Sequence, residues 1–277
     1  MEDKHFYSGV IRLLVLSFVS IILLFPIIII LLLSFQTFES LVNNHWSSGD
    51  PIWTDENYKM VFDNFLPSLL FTLLILIFHL FMSLLILLPA SFAISQLNIP
   101  YKKIFSFIFA FVVFIPSSAL ITEQYKLISE LGFTSGFGGY ILGLSIPFAY
   151  SYLGFIVLLS GFNNIDPNLK VVATTENIPT YKYFIITLKM IKKEVLWVII
   201  LLAINVWNSF LFPRLILMGS DFRVLTLWIF DISIDSIDGT LHPEIQMAAS
   251  IISSIPLVVM FLVFRKSIFE AINIKTK

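Results

Sequence analysis

Two polar groupings interrupt an otherwise apolar chain of 277 residues, and both carry groups suited to binding rather than to making or breaking bonds. Asn205, Trp207 and Asn208 combine two amides, which can hydrogen-bond hydroxyls, with an indole face of the kind that stacks on a sugar ring. The same trio admits a second reading, with Trp207 as an anchor at a membrane interface and the asparagines as glue between helices. Thr122-Glu123-Gln124 sets a carboxylate and an amide at the end of an apolar stretch. Charge close to hydrocarbon is costly, so this triplet marks either the lining of a solute path or a solvated helix end.

Reactive chemistry is missing. No GxxxxGK[ST] loop is present to cradle a nucleotide, and neither HExxH nor GxSxG occurs. His5, His45, His79 and His242 are scattered without metal-ligand spacing, and the absence of cysteine removes disulfides, thiolate metal sites and thiol nucleophiles. No cofactor or metal is expected, and nothing points to a nucleic-acid partner. His79 alone lies within an apolar span, where it either joins two helices or lines a path.

The elements that must position these groups are membrane helices. Apolar residues make up 58% of the chain and charged residues 13%, with a mean hydropathy of +0.93, outside the range of soluble domains. Six apolar spans are predicted, near residues 11–34, 68–95, 104–122, 140–160, 195–217 and 246–264. Each is long enough to cross about 30 Å of hydrocarbon as a helix, and none alternates as a barrel strand would. The expectation is an all-α polytopic membrane protein with membrane lipid around it, and one domain over residues 1–277. Prolines 26, 89, 116, 147 and 256 fall in or near these spans, where they kink helices.

Thirteen of the 17 Lys and Arg fall on one side of such a bundle, leaving Lys59, Lys126, Arg214 and Arg223 on the other. The positive-inside rule therefore predicts cytoplasmic N- and C-termini and a cytoplasmic loop over 161–194. The first span is too long, and lacks the small-residue site, for a cleaved signal peptide, so it is expected to stay as an anchor. Twelve of the 18 acidic residues fall in the outer loops, which fits either docking of an extracytoplasmic protein or plain solvation.

The long inner loop contains IDPNLKVVATTENIPTYKYF, residues 165–184. Asp166-Pro167 is a helix start, with Asp as N-cap and Pro at the first helical position. Leu169, Val172 and Ala173 then form a narrow apolar stripe at i, i+3 and i+4. Glu176-Asn177 ends the helix, because Asn accepts the left-handed conformation, and Pro179 is expected in the first turn of a second helix that carries Lys182. An exposed helix with an apolar stripe lies on lipid or fits a partner. The sharp turn into a second helix favours a knob shaped for a partner's cleft.

These residues bear a family resemblance. The segment resembles a degenerate form of the "EAA" loop of ABC-importer permeases, with Val171-Val172-Ala173 in place of Glu-Ala-Ala, Asn177 in place of Gly, and Met190 where Pro is usual. WTDENYKMVF resembles the Asn-Tyr segment of the maltose-type permeases, and FIPSSALITEQYKLISELGF their Ile-Pro motif and following Leu-Gly. VWNSFLFPRLILMGSDFRVLTL resembles their Trp-Asn-x-Phe-x-x-Pro signature, here Trp207, Asn208, Phe210 and Pro213, and MAASIISSIPLVVMFLVFRKSIFEAI resembles their last span.

The resemblance is to the MalG-like permease of a carbohydrate (CUT1-type) importer, and it implies six helices of the type I, MetI-like permease fold in a bacterial cell membrane. It further implies a non-enzymatic subunit, paired with a second homologous permease, two cytoplasmic ATPase subunits and an extracytoplasmic solute-binding protein, importing a sugar or oligosaccharide. Under it, Leu169, Val172, Ala173, Glu176, Asn177 and Lys182 belong to the ATPase-coupling loop. Glu123, Gln124, Asn205, Trp207 and Asn208 are the candidate translocation path. Losing the first Glu of the motif implies an ATPase with a less polar cleft or a weakened coupling. A permease for glycerol phosphate shares the same signatures. A secondary transporter would need inverted repeats and intramembrane carboxylates, and neither is seen.

Overall fold

The structure, a computed structural model, describes residues 2–42, 53–234 and 239–272. Residues 43–52 with His45, residues 235–238, and Lys275 and Lys277 lie outside the described residues. Every extended element among the described residues is helical, and only two isolated bridges occur, Gln36 with Trp53 and Ile234 with Leu241.

The chain packs as two compact units, Met1–Leu66 with Trp228–Leu257, and Pro67–Leu227 with Val258–Lys277. The first unit contains α1 (Glu2–Leu33), α2 (Phe38–Val42) and the opening turns of α3 (Glu56–Gln96). It also holds the end of α12 (Leu225–Asp231) and the first half of α13 (Pro243–Ile272). Over Ile11–Leu33 the mean hydropathy of α1 reaches 3.2, and every side chain from residue 11 to 28 is exposed. A helix apolar on all sides is stable only against hydrocarbon or other helices.

The end of α1 is tied by the Asn-Tyr pair that the sequence singled out. The Asn57 amide donates to the carbonyls of Ser34 and Gln36, both at 2.9 Å, and the Tyr58 hydroxyl lies 2.6 Å from Ser34 Oγ. Asn57 and Ser34 are buried, so these bonds replace the helical partners that the carbonyls of a helix end have lost. At the start of α13 the buried Glu244 carboxylate sits 2.9 Å from His242 Nδ1, and the imidazole packs 4.7 Å from the Phe38 ring.

The second unit is assembled on the rest of α3. It comprises α4 (Lys102–Phe111) with a short 3₁₀ continuation, α5 (Ser117–Glu130), α6 (Gly136–Ser145), α7 (Tyr152–Asn163), α8 (Pro167–Thr175), α9 (Thr180–Met190), α10 (Lys192–Trp207) and α11 (Leu211–Ile216). One core gathers Leu87, Phe92, Phe155, Phe162 and Leu202, and a second gathers Phe71, Ile75, Ile128, Leu144 and Phe212. The helices α7 and α10 approach through glycine. A Cβ on Gly161 would meet the Glu194 side chain at 2.9 Å, and one on Gly154 would meet Val198 Cγ1 at 3.2 Å.

Three predicted spans are continuous apolar helices, Ile11–Leu33, Phe65–Gln96 and Pro243–Lys266. The other three are interrupted. The span at 104–122 breaks at Ile115, whose extended backbone (φ −90°, ψ 115°) leads into Pro116, the N-cap of α5. The one at 140–160 breaks between Ser145 and Tyr152, around Pro147, and the one at 195–217 breaks at Asn208–Phe210. Hydropathy averaged over a window cannot see such breaks, because their residues remain largely apolar. Pro26, Pro89 and Pro256 stay inside helices, whereas Pro116 and Pro147 sit where helices stop.

Asn57→Ala removes both donors from buried carbonyls and is expected to destabilise the first unit by about 2 kcal/mol. The check is a lower thermal unfolding midpoint in detergent, with Asn57→Asp at least as damaging because a carboxylate donates nothing; an unchanged midpoint for both would contradict the clamp.

Candidate functional site

The loop over 161–194 folds as a helix, a tight turn and a second helix. Asp166 caps α8, its Oδ1 accepting the Asn168 N–H at 2.9 Å, and Pro167 takes the first helical position where no N–H is needed. At the other end, Ile178 N–H donates to the Ala173 carbonyl at 2.8 Å and Asn177 N–H to the Thr174 carbonyl at 3.2 Å, with Asn177 at φ +51°. This is a Schellman closure with asparagine in the left-handed seat. The end of α5 closes identically through Gly132, at φ +76°, with Phe133 N–H on the Ile128 carbonyl at 2.9 Å. Pro179 is not in the first turn as expected. Its extended backbone (ψ 144°) caps α9, which begins at Thr180.

The apolar stripe divides between two faces. Ala173 is 6% exposed and joins Phe92, Phe162, Ile165 and Tyr183 in the core, and Leu169 is half-buried against the same group. Val172 is 52% exposed and Val171 61%, and around them Thr174, Thr175, Glu176, Asn177 and Lys182 are exposed as well. The expectation that Leu169 and Ala173 form a knob's outer surface is therefore corrected: they seat the helix on its own chain. Neighbours such as Val172 and Ala173 point about 100° apart, so three apolar positions alone do not say which edge of the stripe turns inward.

Polar mooring completes the seat. Gln96, the last residue of α3, donates through Nε2 to the Phe162 carbonyl at 2.6 Å and accepts the Tyr183 hydroxyl at 2.7 Å. Ser95 donates to Asn163 Oδ1 at 2.6 Å, and Lys170 reaches Asn98 Oδ1 at 3.2 Å. Burial pushes the Tyr183 phenol above its ordinary pKa, which keeps it a donor. Neither Gln96 nor Tyr183 stands out in the sequence as a functional residue. The usable signal was an amide closing a long apolar run, where only a specific partner compensates its burial.

A cavity of about 300 Å³ lies within the second unit, lined by residues of α3, α6, α10 and α11 and by the break after α6. Asn205, Ser151, Ser209, Thr72 and His79 supply its polar wall, and Phe148, Tyr150 and Phe212 are its aromatic lining. The Asn205 amide and Ser209 hydroxyl make no hydrogen bond among the described residues, and Ser151 Oγ accepts from Gly154 N–H with its own proton uncommitted. Thr72 is fully used, donating to the Ser68 carbonyl and accepting from Leu225 N–H. His79 Nδ1 lies 3.3 Å from the Ser145 carbonyl and Nε2 3.3 Å from Ser83 Oγ, so this histidine joins two helices and faces the cavity as well.

Of the five path candidates, Asn205 alone lines this cavity. Trp207 is buried, and Asn208 turns its amide back to the Ile204 carbonyl at 2.9 Å. Glu123 pairs with Lys126 at 2.7 Å on an exposed helix face, and Gln124 is half-buried on the same helix.

No family model matches the chain. It is 27% identical over 274 residues to a probable ABC transporter permease protein, the MG189 homolog of Mycoplasma pneumoniae, across 94% of this chain and 85% of the relative. It is 24% identical over 266 residues to the multiple sugar-binding transport system permease protein MsmG of Streptococcus mutans, across 91% of each. A crystal structure of a bacterial ABC transporter involved in the import of the acidic polysaccharide alginate superposes with a TM-score of 0.72, at 20% identity, over 96% of this chain and 97% of that one. The homologues of this chain are ABC transporter permeases, and its fold is that of an ABC importer subunit. It is a multi-pass protein of the bacterial cell membrane, and the relatives it matches are named as transport permeases.

Gln96→Ala leaves the Tyr183 hydroxyl and the Phe162 carbonyl without their partner, at a cost of about 1–3 kcal/mol. The loop is then expected to be cut faster by protease between residues 164 and 182 while insertion is unchanged; Tyr183→Phe should produce a smaller effect of the same kind.

Proposed function

We propose that this chain is one of two permease subunits of an ATP-driven importer and that its 161–194 loop is the joint to the ATPase. The observation that carries the reading is the way the loop is seated. Its inner face, Leu169, Ala173 and Tyr183, is committed to the chain's own core, and Val171 and Val172 stand outside in a ring of polar groups. A rigidly moored helix-turn-helix with a small apolar crown fits a cleft in another protein better than it fits a lipid surface. The Lys and Arg distribution puts the loop and both termini in the cytoplasm, with six crossings, three of them interrupted. The full assembly comprises a homologous second permease, two ATPase subunits that bind and hydrolyse ATP, and an extracytoplasmic solute-binding protein.

A sugar or oligosaccharide is the solute, and this chain touches it at the cavity. Asn205, Ser209 and Ser151 offer uncommitted hydrogen-bonding groups beside aromatic rings, a combination suited to hydroxyls on an apolar ring face. No Lys, Arg, Asp or Glu lines the cavity, which favours a neutral solute over glycerol phosphate. Two similar proteins, a multiple sugar-binding transport system permease and a transporter involved in alginate import, support a carbohydrate as the solute.

Mild-detergent purification with mass spectrometry tests the joint. Val171→Asp with Val172→Asp is expected to insert normally and keep its thermal midpoint while ATPase recovery and uptake fall at least tenfold. Ala173→Asp, by burying a charge, should instead lose about 3 kcal/mol or more of stability. Wild-type ATPase recovery by the valine double variant, or a wild type that purifies with no ATPase, would sink this reading.

The cavity has its own check. Asn205→Leu should raise the KM for sugar uptake about tenfold, the size of one lost hydrogen-bonding group, with ATPase recovery unchanged. A wild-type KM would remove Asn205 from the path.

A further inference from the structure

A second cleft, of about 290 Å³, opens in the same unit between the ends of α3, α4 and α7. Its lining is short and chemically divided: Lys102, Lys103, Ser106 and Asn163 on the polar side, Ile94 and Leu159 on the apolar side. We propose that this cleft binds the phosphate headgroup of an anionic phospholipid of the cytoplasmic leaflet, with Lys102 and Lys103 as its counter-charges. The leaflet assignment rests on the orientation proposed above.

The two lysines and the Asn163 amide supply donors to the cleft, and the Asn163 oxygen is already occupied. Neither lysine makes an ion pair among the described residues, and no carboxylate lines the cleft. Asn163 Oδ1 is taken by the Ser95 hydroxyl at 2.6 Å, which fixes the amide with its NH₂ group as the uncommitted end. The Ser106 hydroxyl donates to the Lys102 carbonyl at 2.9 Å and so retains acceptor capacity only, placing it at the rim of an anion site. The α4 helix starts at Lys102, and the positive end of its dipole adds to the field of the two ammoniums.

The occupant must also suit what lies beside the cleft. Along α4 from these lysines run Ile104, Phe107, Ile108 and Phe111, each more than half exposed. An occupant therefore carries negative charge at one end and a long apolar body at the other, and it arrives at the boundary between water and hydrocarbon. A diacyl phospholipid with net negative charge meets all three conditions, and basic pockets between helices on the cytoplasmic side are where such headgroups bind. A soluble phosphate would satisfy the lysines and leave the apolar surface bare.

The test uses the full chain with whatever subunits accompany it, in nanodiscs of phosphatidylcholine with or without phosphatidylglycerol. After partial delipidation in detergent, retained lipid is read by native mass spectrometry. Wild type is expected to keep phosphatidylglycerol over phosphatidylcholine, and Lys102→Gln with Lys103→Gln to lose about tenfold in that retention. Lys102→Arg with Lys103→Arg should restore it. Lys189→Gln with Lys193→Gln, which removes equal charge from elsewhere on the same side, should leave it unchanged. Equal loss in that control would mean bulk attraction and overturn the site, as would no loss in the first variant. Displacement of the lipid by millimolar inorganic phosphate would overturn the lipid as occupant in favour of a free anion. Sidedness is read apart from this: in a chain without cysteine, Pro100→Cys should react with an impermeant maleimide only after cells are opened, and reaction in intact cells would overturn the leaflet assignment alone.

Discussion

A backbone inside hydrocarbon has only its own chain to bond with, and polar side chains of this protein meet that requirement at several of its helix ends and breaks. Where α1 stops, Asn57 covers two carbonyls. Where α10 stops, Asn208 bonds back to Ile204, and Thr226 reaches the Ser209 carbonyl at 2.6 Å. Thr72 takes the Leu225 N–H at the start of α12, and the Tyr150 hydroxyl meets the Phe109 carbonyl at 2.9 Å near the end of α4. Gln96 does the same for Phe162 at the end of α7. Few polar residues are available in so apolar a chain, and many of them serve carbonyls and amides that a straight helix would have paired internally.

That same allocation separates the groups held in place from those free to bind something else. Asn205 and Ser209 lie within a few residues of Asn208 and yet line an open cavity, with side chains that make no hydrogen bond among the described residues. Val171 and Val172 stand exposed on the helix whose other face is locked in the core. In each case the proposed functional surface is the residue set that the local structure leaves unspent, positioned by immediate neighbours that are engaged.

The helical class, the three continuous apolar spans and the turn at Asn177 were legible in the sequence, because hydropathy and capping chemistry are local. The division of the loop's stripe was not: whether Ala173 or Val172 turns inward depends on Phe92, which lies far off in the chain. Nor was the mooring by Gln96, since a single amide at a span end has no pattern until its partners, 66 and 87 residues away, are known. The Asn-Tyr segment shows the intermediate case. Its resemblance to other permeases was visible, and the physical reason for those two residue types, carbonyls to be paired at the end of α1, came only from the fold. The Trp-Asn signature likewise resolved into a buried ring and a helix cap, and the amide that lines the cavity is the less conspicuous Asn205.

The glycine contact between α7 and α10 has a mechanical meaning. These are the helices through which the chain enters and leaves the 161–194 loop, and at Gly161 they stand too close for even a methyl group beside Glu194. Drawing the two supports apart would uncover Leu158 and Val198, both fully buried, so packing holds them side by side. Asn205 lies about three turns further along α10, on the same continuous helix as this contact.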